Sequence, residues 1–224
     1  MRLILADTVH AALVDDDLVL LDVAADAYFC LPAGHQRVTL TGRHMTVDPP
    51  ALGRALFDAG LTDIDDDRLD LRANSADDPG RTIVRPQRTA RAALDDCPSL
   101  KLAKTRLTHV IALERAVRTA LAARPLSFAD RLAPGDGRAS NLTPELLGDL
   151  AVYRRLSPWL PIDGHCLFRS EMLRAYLRAL GHEATWVFGV RTWPFRAHCW
   201  LQVEDVALDD EAERLAAYQP IMAV

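Results

Sequence analysis

The stretch DGHCLFRSEMLRAYLRALGH, residues 163–182, decides the fold of the C-terminal half of the chain. Four of its leucines repeat close to the 3.6-residue period of an α-helix. They are Leu167, Leu173, Leu177 and Leu180. Gly181 is a typical C-terminal stop, because glycine readily adopts the left-handed conformation in which many helices end. The pattern predicts a turn followed by a helix with Cys166 at its N-terminus.

A cysteine at the start of a helix has an unusual chemical setting. The partial positive charge and the free N–H groups of the helix N-terminus favour the thiolate, which is the form that attacks a carbonyl carbon. The same N–H groups can donate to the oxyanion of a tetrahedral intermediate. Cys166 is therefore a candidate nucleophile.

Three β-rich runs follow the helix and predict consecutive antiparallel strands. They are TWVFGV from Thr185, AHCWLQVE from Ala197 and VALDD from Val206. His198 lies on the second run, 32 residues after Cys166 (198 − 166). A strand packed against the helix would bring His198 to Cys166, where an imidazole can act as general base.

A third group should orient the imidazole by accepting a hydrogen bond from its other nitrogen. Asp210 ends the third run and is the preferred candidate, with Asp209 as its close competitor. Because successive residues of a strand face opposite sides, only one of the two can serve, and the sequence leaves the choice open. The order Cys, His, Asp fits the papain-like and transglutaminase-like arrangement.

The remaining cysteines and histidines lack the spacing of metal ligands. His165, His182 and Cys199 are interpreted as structural, and Cys199 is expected to point away from His198 because strand neighbours face opposite sides. The cysteines, Cys30, Cys97, Cys166 and Cys199, form no C-x-x-C pair. We expect reduced thiols, no metal and no cofactor.

The N-terminal segment predicts a small module of strands followed by a helix. Three short antiparallel strands are expected at residues 9–14, 18–23 and 27–31, separated by turn-forming residues. Asp48 before Pro49-Pro50 is a typical helix start, and the residues that follow repeat at helical spacing up to Gly60.

The next segment predicts a domain boundary. Residues 63–80 are rich in Asp and end in Pro79-Gly80, which is the composition of an exposed connector. We interpret the acids as solvated and not as a site for a basic partner. The predicted domains are residues 1–78 and 79–224.

The middle of the chain predicts two helices. Apolar residues repeat near a 3.6-residue period and predict a core-packing helix. They are Leu107, Val110, Ile111, Val117, Ala120 and Leu121. Its lysines and arginines are interpreted as the solvent face, with an acidic substrate as the less favoured reading. A second helix is expected from Thr143 as N-cap and Pro144 in the first turn.

Composition excludes several classes of function. A net charge of −5 and a pI near 5.8 argue against electrostatic binding to nucleic acid. No apolar run approaches the roughly 18 to 20 residues of a membrane-spanning helix. Acids stand near the start where a signal peptide would carry its cleavage site, so a cytoplasmic location is expected.

Several segments resemble one family. C-L-F-R-S at 166–170, A-H-C-W-L-Q-V-E at 197–204 and A-L-D-D at 207–210 are similar to segments of the lasso peptide B proteins, which are transglutaminase-like leader peptidases. DDDLVLLDVAADAYFCLP at 15–32 resembles their leader-recognition element, a PqqD-like winged-helix module of three strands and three helices. The resemblance implies an α+β chain in which residues 1–78 recognise the leader and residues 79–224 form a papain/transglutaminase-like cysteine peptidase.

The resemblance also implies residue roles. Cys166 corresponds to the nucleophile, His198 to the base and Asp210 to the orienting group, with Asp209 at a position where the family usually has Asn. The leader would bind as an added strand beside the third strand. Tyr28, Phe29 and Leu31 lie on that strand, where each side chain is also accounted for as core of a small β-module.

The implied function is cleavage of the leader from a ribosomally synthesised lasso precursor peptide. The expected partners are that precursor and an asparagine-synthetase-like lasso cyclase that uses the new N-terminus. Two alternatives stay open at this stage. One is a non-catalytic protein that delivers the precursor to the cyclase, and the other is an enzyme in which an amine replaces water, giving transamidation.

Overall fold

The computed structural model describes residues 1–65, 83–132, 141–160 and 165–224. The chain forms two compact units. Unit 1 comprises Met1–Ile83 and Val190–Phe195, and unit 2 comprises Val84–Gly189 and Arg196–Val224. Most of the connector predicted at 63–80 lies outside the described residues.

Unit 1 contains seven strands and one α-helix within residues 1–65. They are β1 (Arg2–Leu5), β2 (Val9–Val14), β3 (Asp17–Asp22), β4 (Ala27–Leu31), β5 (Val38–Thr41), β6 (His44–Val47), α1 (Pro50–Asp58) and β7 (Thr62–Ile64). Strands β2, β3 and β4 form an antiparallel meander, and a second sheet has the order β5-β6-β1-β7. The three strands and the helix expected from the sequence are confirmed to within two residues.

The described part of unit 1 differs from a winged helix. Where the resemblance implies three strands and three helices, residues 38–47 form a β-hairpin. The sequence VTLTGRHMTV explains this, because β-branched and apolar residues flank Gly42, which adopts φ 59° at the turn. Val38, Met45 and Val47 are buried in the core with Leu3 and Leu18. A PqqD-like fold is therefore not confirmed.

Unit 2 combines helices with a five-stranded sheet. Its elements are β8 (Arg88–Thr89), α2 (Ala90–Asp95), α3 (Pro98–Lys101), α4 (Leu107–Ala123), α5 (Phe128–Arg131), α6 (Pro144–Leu156), α7 (Cys166–Ala179), β9 (Thr185–Arg191), β10 (Arg196–Val203), β11 (Val206–Ala207), α8 (Ala212–Leu215) and β12 (Gln219–Ala223). The sheet has the order β12-β9-β10-β11-β8. Helix α7 packs against α4 and β10. No described helix is long and apolar enough to cross a membrane.

The central helix α7 begins and ends where the sequence predicts. Gly181 has φ 87°. The N–H of His182 donates to the carbonyl of Leu177, and that of Gly181 donates to the carbonyl of Arg178, both at 3.0 Å. This pair of bonds is a Schellman motif, which satisfies carbonyls that the helix end leaves free.

Close packing holds the sheet under α7. Trp186 on β9 and Trp200 on β10 are fully buried. A Cβ atom at Gly189 would lie 2.7 Å from the ring of Trp200, so this position on β9 requires glycine.

Helix α4 packs in the core as the sequence predicts, but Ala120 is the single fully buried member of the predicted apolar stripe. Leu107, Val110, Ile111 and Leu121 are exposed. The buried face consists of smaller side chains and one histidine: His109, Ala112, Leu113, Ala116, Ala120 and Ala123. Alanines allow α4 to approach α7 closely, and this packing outweighs the burial of the larger residues. The predicted second helix is confirmed in α6, where the Thr143 side chain accepts from the N–H of Leu146 at 3.2 Å.

Candidate active site

Cys166 is the first residue of α7 and is half-buried. The preceding residue, His165, forms the N-cap without a side-chain hydrogen bond to the helix. The N–H groups of the first turn therefore have no side-chain cap to compete with a substrate oxygen. The sulfur and these donors lie together at the helix terminus.

His198 on β10 faces Cys166. Its Nε2–H donates to Oδ2 of Asp210 at 2.5 Å, and its ring also hydrogen-bonds the Cys166 sulfur. Since Nε2 is engaged by Asp210, the nitrogen on the sulfur is Nδ1. The imidazole is nearly enclosed, with its side chain 10% exposed, and it packs against Tyr218 at a ring distance of 5.3 Å.

Asp210 is itself held in place. Its Oδ1 accepts from the N–H of Glu211 at 2.8 Å and lies 3.6 Å from Nη1 of Arg214. Burial raises the pKa of Asp210, but the hydrogen bonds from His198 and Glu211 and the charge of Arg214 outweigh burial and keep this pKa below its usual value. The carboxylate therefore stays ionised beside the imidazole.

Asp209 occupies a different environment. Its Oδ2 accepts from Oγ of Ser170 at 2.5 Å, and its Oδ1 accepts from the N–H of Leu201 at 2.8 Å. Burial raises the pKa of Asp209. Of the two carboxylates that the sequence leaves open, the structure places Asp210 on His198 and Asp209 between α7 and β10.

The electrostatics favour a thiolate–imidazolium pair. The pKa of Cys166 falls to about 3, because hydrogen bonds from the Cys199 thiol and from His198, with the positive charge of His198, outweigh burial. Burial lowers the pKa of His198, but its hydrogen bonds to Asp210 and Cys166 raise this pKa to about 9. Between these values both groups are charged, which is the activated state of a cysteine nucleophile.

Cys199 follows His198 on β10, the strand against which α7 packs. Hydrogen bonds from the Cys199 thiol and backbone N–H are among the causes that lower the pKa of Cys166, and the interaction with Cys166 together with burial raises the pKa of Cys199. The side chain is 4% exposed.

Sequence reasoning missed the role of Ser170 as the partner of Asp209. Ser170 is 1% exposed and lies four residues after Cys166, on the same face of α7. This spacing of four residues within C-L-F-R-S indicates that the serine side chain lies one helical turn from the nucleophile, on the same face of the helix. A buried polar residue at this position requires a partner, and Asp209 provides it.

The residues predicted to receive the leader lie on β4 in unit 1. Phe29 is 42% exposed, while Tyr28 and Leu31 are half-buried. Tyr28 packs against Phe195, with ring centroids 5.5 Å apart. Within the described residues β4 pairs only with β3, so its other edge has no strand partner.

His182 follows α7 and bonds a carboxylate on α6. His182 lies 2.9 Å from Oδ2 of Asp149 through its Nε2. Among the residues that the structure describes, no group of three His, Cys, Asp or Glu side chains is arranged to hold a metal ion.

Comparison with known proteins identifies the family of unit 2. The profile described as the Transglutaminase-like superfamily matches residues 107–223, just over half of the 224 residues. The chain therefore belongs to the transglutaminase-like superfamily, which includes cysteine peptidases and transamidases. Searches of the curated proteins and of the solved structures found no significant match.

Proposed function

We propose that this protein is a cysteine peptidase that removes the leader from a ribosomally synthesised lasso precursor peptide. The observation that carries the proposal is the Cys166 thiolate at the start of α7, in contact with His198, whose other nitrogen is bonded to Asp210. This arrangement supplies nucleophile, acid–base group and orienting carboxylate in one place.

The mechanism begins with attack of the Cys166 thiolate on the scissile carbonyl. The backbone N–H of Cys166 donates to the developing oxyanion, and His198 gives its Nδ1 proton to the leaving amine. An acyl-enzyme on Cys166 remains. His198 then takes a proton from water, which attacks the thioester and releases the acyl fragment as a carboxylic acid. Asp210 keeps the imidazole in position throughout.

The leader is proposed to bind to unit 1. The edge of β4 without a strand partner offers backbone N–H and C=O groups to an extended peptide, and the exposed Phe29 offers an apolar contact. Two binding sites on one peptide would raise the local concentration of the scissile bond at Cys166. The released core, with its free N-terminus, is the proposed substrate of an asparagine-synthetase-like cyclase.

The first experiment tests the peptidase. A candidate lasso precursor peptide is incubated with the wild-type protein, with Cys166→Ala and with Cys97→Ala, and the products are analysed by mass spectrometry. Cleavage into leader and core by the wild type and by Cys97→Ala, but not by Cys166→Ala, is expected, because Cys97 is an exposed cysteine at the start of α3. Cleavage retained by Cys166→Ala would overturn the proposal. Transfer of the acyl fragment to an added amine instead of water would show a transamidase.

A second experiment tests leader binding separately. Phe29→Asp is compared with Phe57→Asp by fluorescence anisotropy of a labelled leader peptide. The two phenylalanines are matched in exposure, at 42% and 41%, and Phe57 lies on α1. We expect Phe29→Asp to weaken binding by about tenfold or more, since it places a charge on the peptide-binding edge. Equal affinity of the two variants would exclude the β4 edge as the leader site.

A further inference from the structure

The loop between β9 and β10 carries two exposed aromatic side chains. Trp193 is 74% exposed and Phe195 is 44% exposed. The segment Val190–Phe195 belongs to unit 1, whereas the rest of β9 and β10 belongs to unit 2. Exposed aromatic side chains that lie close together add little to a core and are typical of interaction surfaces.

Both aromatic side chains are held against the meander of β2, β3 and β4. The Nε1–H of Trp193 donates to Oδ2 of Asp17 at 2.6 Å, and Phe195 packs against Tyr28 with ring centroids 5.5 Å apart. Asp17 and Leu21 point to the same face of β3, and Leu21 pairs with Tyr28. The two aromatic side chains therefore lie on one face of the meander, towards opposite ends of β4.

The backbone at Trp193 is strained. Its φ of 49° lies in the left-handed region, which a residue with a bulky side chain rarely adopts. Asp17, which is 5% exposed, fixes the indole through Oδ2, and its Oδ1 accepts from the N–H of Ala33 at 2.9 Å. Strained residues cluster at binding sites, where the surrounding structure holds a side chain ready for a ligand. Trp193 is thus kept in a fixed exposed position, although its ring adds little to the core.

The open edge of β4 has an aromatic side chain on each face. Among the residues that the structure describes, β4 pairs with β3 alone. Successive residues of a strand point to opposite faces, so Phe29 lies on the face opposite Tyr28 and Phe195. An added strand would place consecutive side chains on these two faces in turn, one next to Phe29 and one next to Phe195.

The meander is also acidic. Residues 9–31 contain five aspartates and neither lysine nor arginine. Of these aspartates, Asp15 and Asp16 are exposed in the turn before β3, and Asp26 is exposed in the turn after it. A ligand strand with positive charge would therefore complement the charge of this surface.

We propose that the loop at residues 192–195 completes the leader-binding site on β4. The leader is recognised as an extended segment that has two consecutive apolar residues with a lysine or arginine beside them. One apolar side chain contacts Phe29, and the next contacts the face formed by Phe195 and Trp193. This inference rests on the proposed leader-peptidase function and adds to it two residues that determine substrate specificity.

The test measures the affinity of the labelled leader of the candidate precursor by fluorescence anisotropy, in a Cys166→Ala background so that no cleavage occurs. Trp193→Ala is compared with Trp159→Ala, and Phe195→Ala with Phe57→Ala, because Trp159 and Phe57 are 85% and 41% exposed. We expect the two loop variants to weaken binding by about tenfold or more and the controls by less than about twofold. Thermal melting followed by circular dichroism checks that each variant is folded, and Trp193→Phe, which keeps a ring, should bind more tightly than Trp193→Ala.

Variants of the peptide test the two-sided contact. Alanine replaces each residue of the leader in turn, and we expect the largest losses of affinity at two adjacent positions. The loss at one of these positions should be smaller in Phe195→Ala protein, because the contact is already absent there. Raising the salt concentration from about 0.1 M to 1 M should weaken binding, since the Debye length falls from about 10 Å to about 3 Å.

The outcomes separate this inference from the proposed function. If Trp193→Ala and Phe195→Ala bind the leader as tightly as their controls, the inference is overturned and the leader-peptidase function stands. If the Cys166→Ala protein with both aromatics intact binds no leader, both are overturned. A dimer in light scattering that Trp193→Ala dissociates, with leader affinity unchanged, would assign the surface to a second copy of the chain and so also overturn the inference.

Discussion

Asp209 and Asp210 are neighbours in the chain, yet their carboxylates hold different parts of the site. Asp210 accepts from Nε2 of His198 at 2.5 Å, whereas Asp209 accepts from Oγ of Ser170 at the same distance and from the N–H of Leu201. One carboxylate thus orients the imidazole, and the other joins the helix of the nucleophile to the strand of the base. Substitutions of the two aspartates should therefore have different effects.

Asp210→Asn should reduce activity and change its pH dependence. The substitution keeps the shape of the side chain but removes the negative charge that helps to raise the pKa of His198 to about 9. We expect kcat/KM to fall by about 100-fold. The alkaline limb of the pH profile should move below pH 9. Kinetics with the precursor peptide measure both effects, and an unchanged alkaline limb would show that Asp210 does not interact with His198 during catalysis.

Asp209→Ala and Asp209→Asn should differ in stability. Alanine leaves the buried Ser170 hydroxyl and the Leu201 N–H without an acceptor, which costs about 2–4 kcal/mol. Asparagine keeps an acceptor for Leu201 and can donate to Ser170. Because burial raises the pKa of Asp209, the ionised carboxylate is disfavoured in the folded state, and this penalty grows as the pH rises through that pKa. Chemical denaturation at pH 7 should therefore find Asp209→Asn at least as stable as wild type. A loss as large as that of Asp209→Ala would contradict this account.

The thiolate–imidazolium pair predicts the pH dependence of alkylation. An ordinary thiol reacts with iodoacetamide about 100-fold more slowly at pH 5 than at pH 7, because its thiolate fraction falls tenfold per pH unit. With a pKa of about 3, Cys166 stays ionised over this interval. We expect its alkylation rate, followed by peptide mass spectrometry, to change by less than about threefold. Glutathione in the same mixture is the control, and a 100-fold decrease at Cys166 would exclude the ion pair.

The shifted pKa values of Cys166 and His198 also make the free energy of unfolding depend on pH, in opposite directions for the two groups. The pKa of His198 is above its ordinary value of 6.5, so its stabilisation is complete below pH 6.5 and is lost as the pH rises through about 9. The pKa of Cys166 is below its ordinary value of 9.0, so its stabilisation is lost as the pH falls towards about 3. Between pH 6.5 and 9 the two contributions change in opposite directions and offset each other, whereas between pH 3 and 6.5 only the Cys166 contribution changes, so Cys166→Ala should flatten the pH dependence of the melting temperature between pH 3 and 6.5.

Some of this site was predictable because local sequence determines it. The leucine repeat and Gly181 set the limits of α7, and with them the position of Cys166 at a helix N-terminus. The choice between the two aspartates was not predictable from strand alternation, because β11 ends at Ala207 and both carboxylates lie beyond the strand. Their directions depend on the bonds to His198 and Ser170, which are tertiary contacts.

The sequence-based expectations for α4 and β10 were also incomplete because they depend on tertiary contacts. Large apolar side chains form the periodic sequence pattern of α4, but the helix packs through its alanines and leaves Leu107 exposed. Alternation along β10 gives no sign that Cys199 lowers the pKa of Cys166, because this effect depends on how α7 packs against β10. A periodic pattern identifies the elements, whereas the distance between packed elements decides which faces meet.

A buried network away from Cys166 gives a further prediction. Asp149 on α6 joins His109 on α4 to His182 beyond α7, through Oδ1 and Oδ2, each at 2.9 Å. Nδ1 of His109 accepts from the N–H of Arg106, so its Nε2 carries the hydrogen that Asp149 accepts. His109 is 4% exposed, so Asp149→Ala would leave this N–H buried without a partner. We expect a loss of about 2–3 kcal/mol in the free energy of unfolding.

Asp205→Ala is the matched control for this network. The Asp205 carboxylate likewise accepts hydrogen bonds from a side chain, Arg88 at 2.7 Å, but the arginine is about half exposed. Removing the Asp205 carboxylate should cost much less stability than removing that of Asp149, because exposed ion pairs contribute little. Urea denaturation of the two variants measures the difference. Since neither aspartate touches the candidate active site, iodoacetamide should alkylate Cys166 at the wild-type rate in both folded proteins, and a slower rate in Asp149→Ala would show that the helices it joins also position the nucleophile.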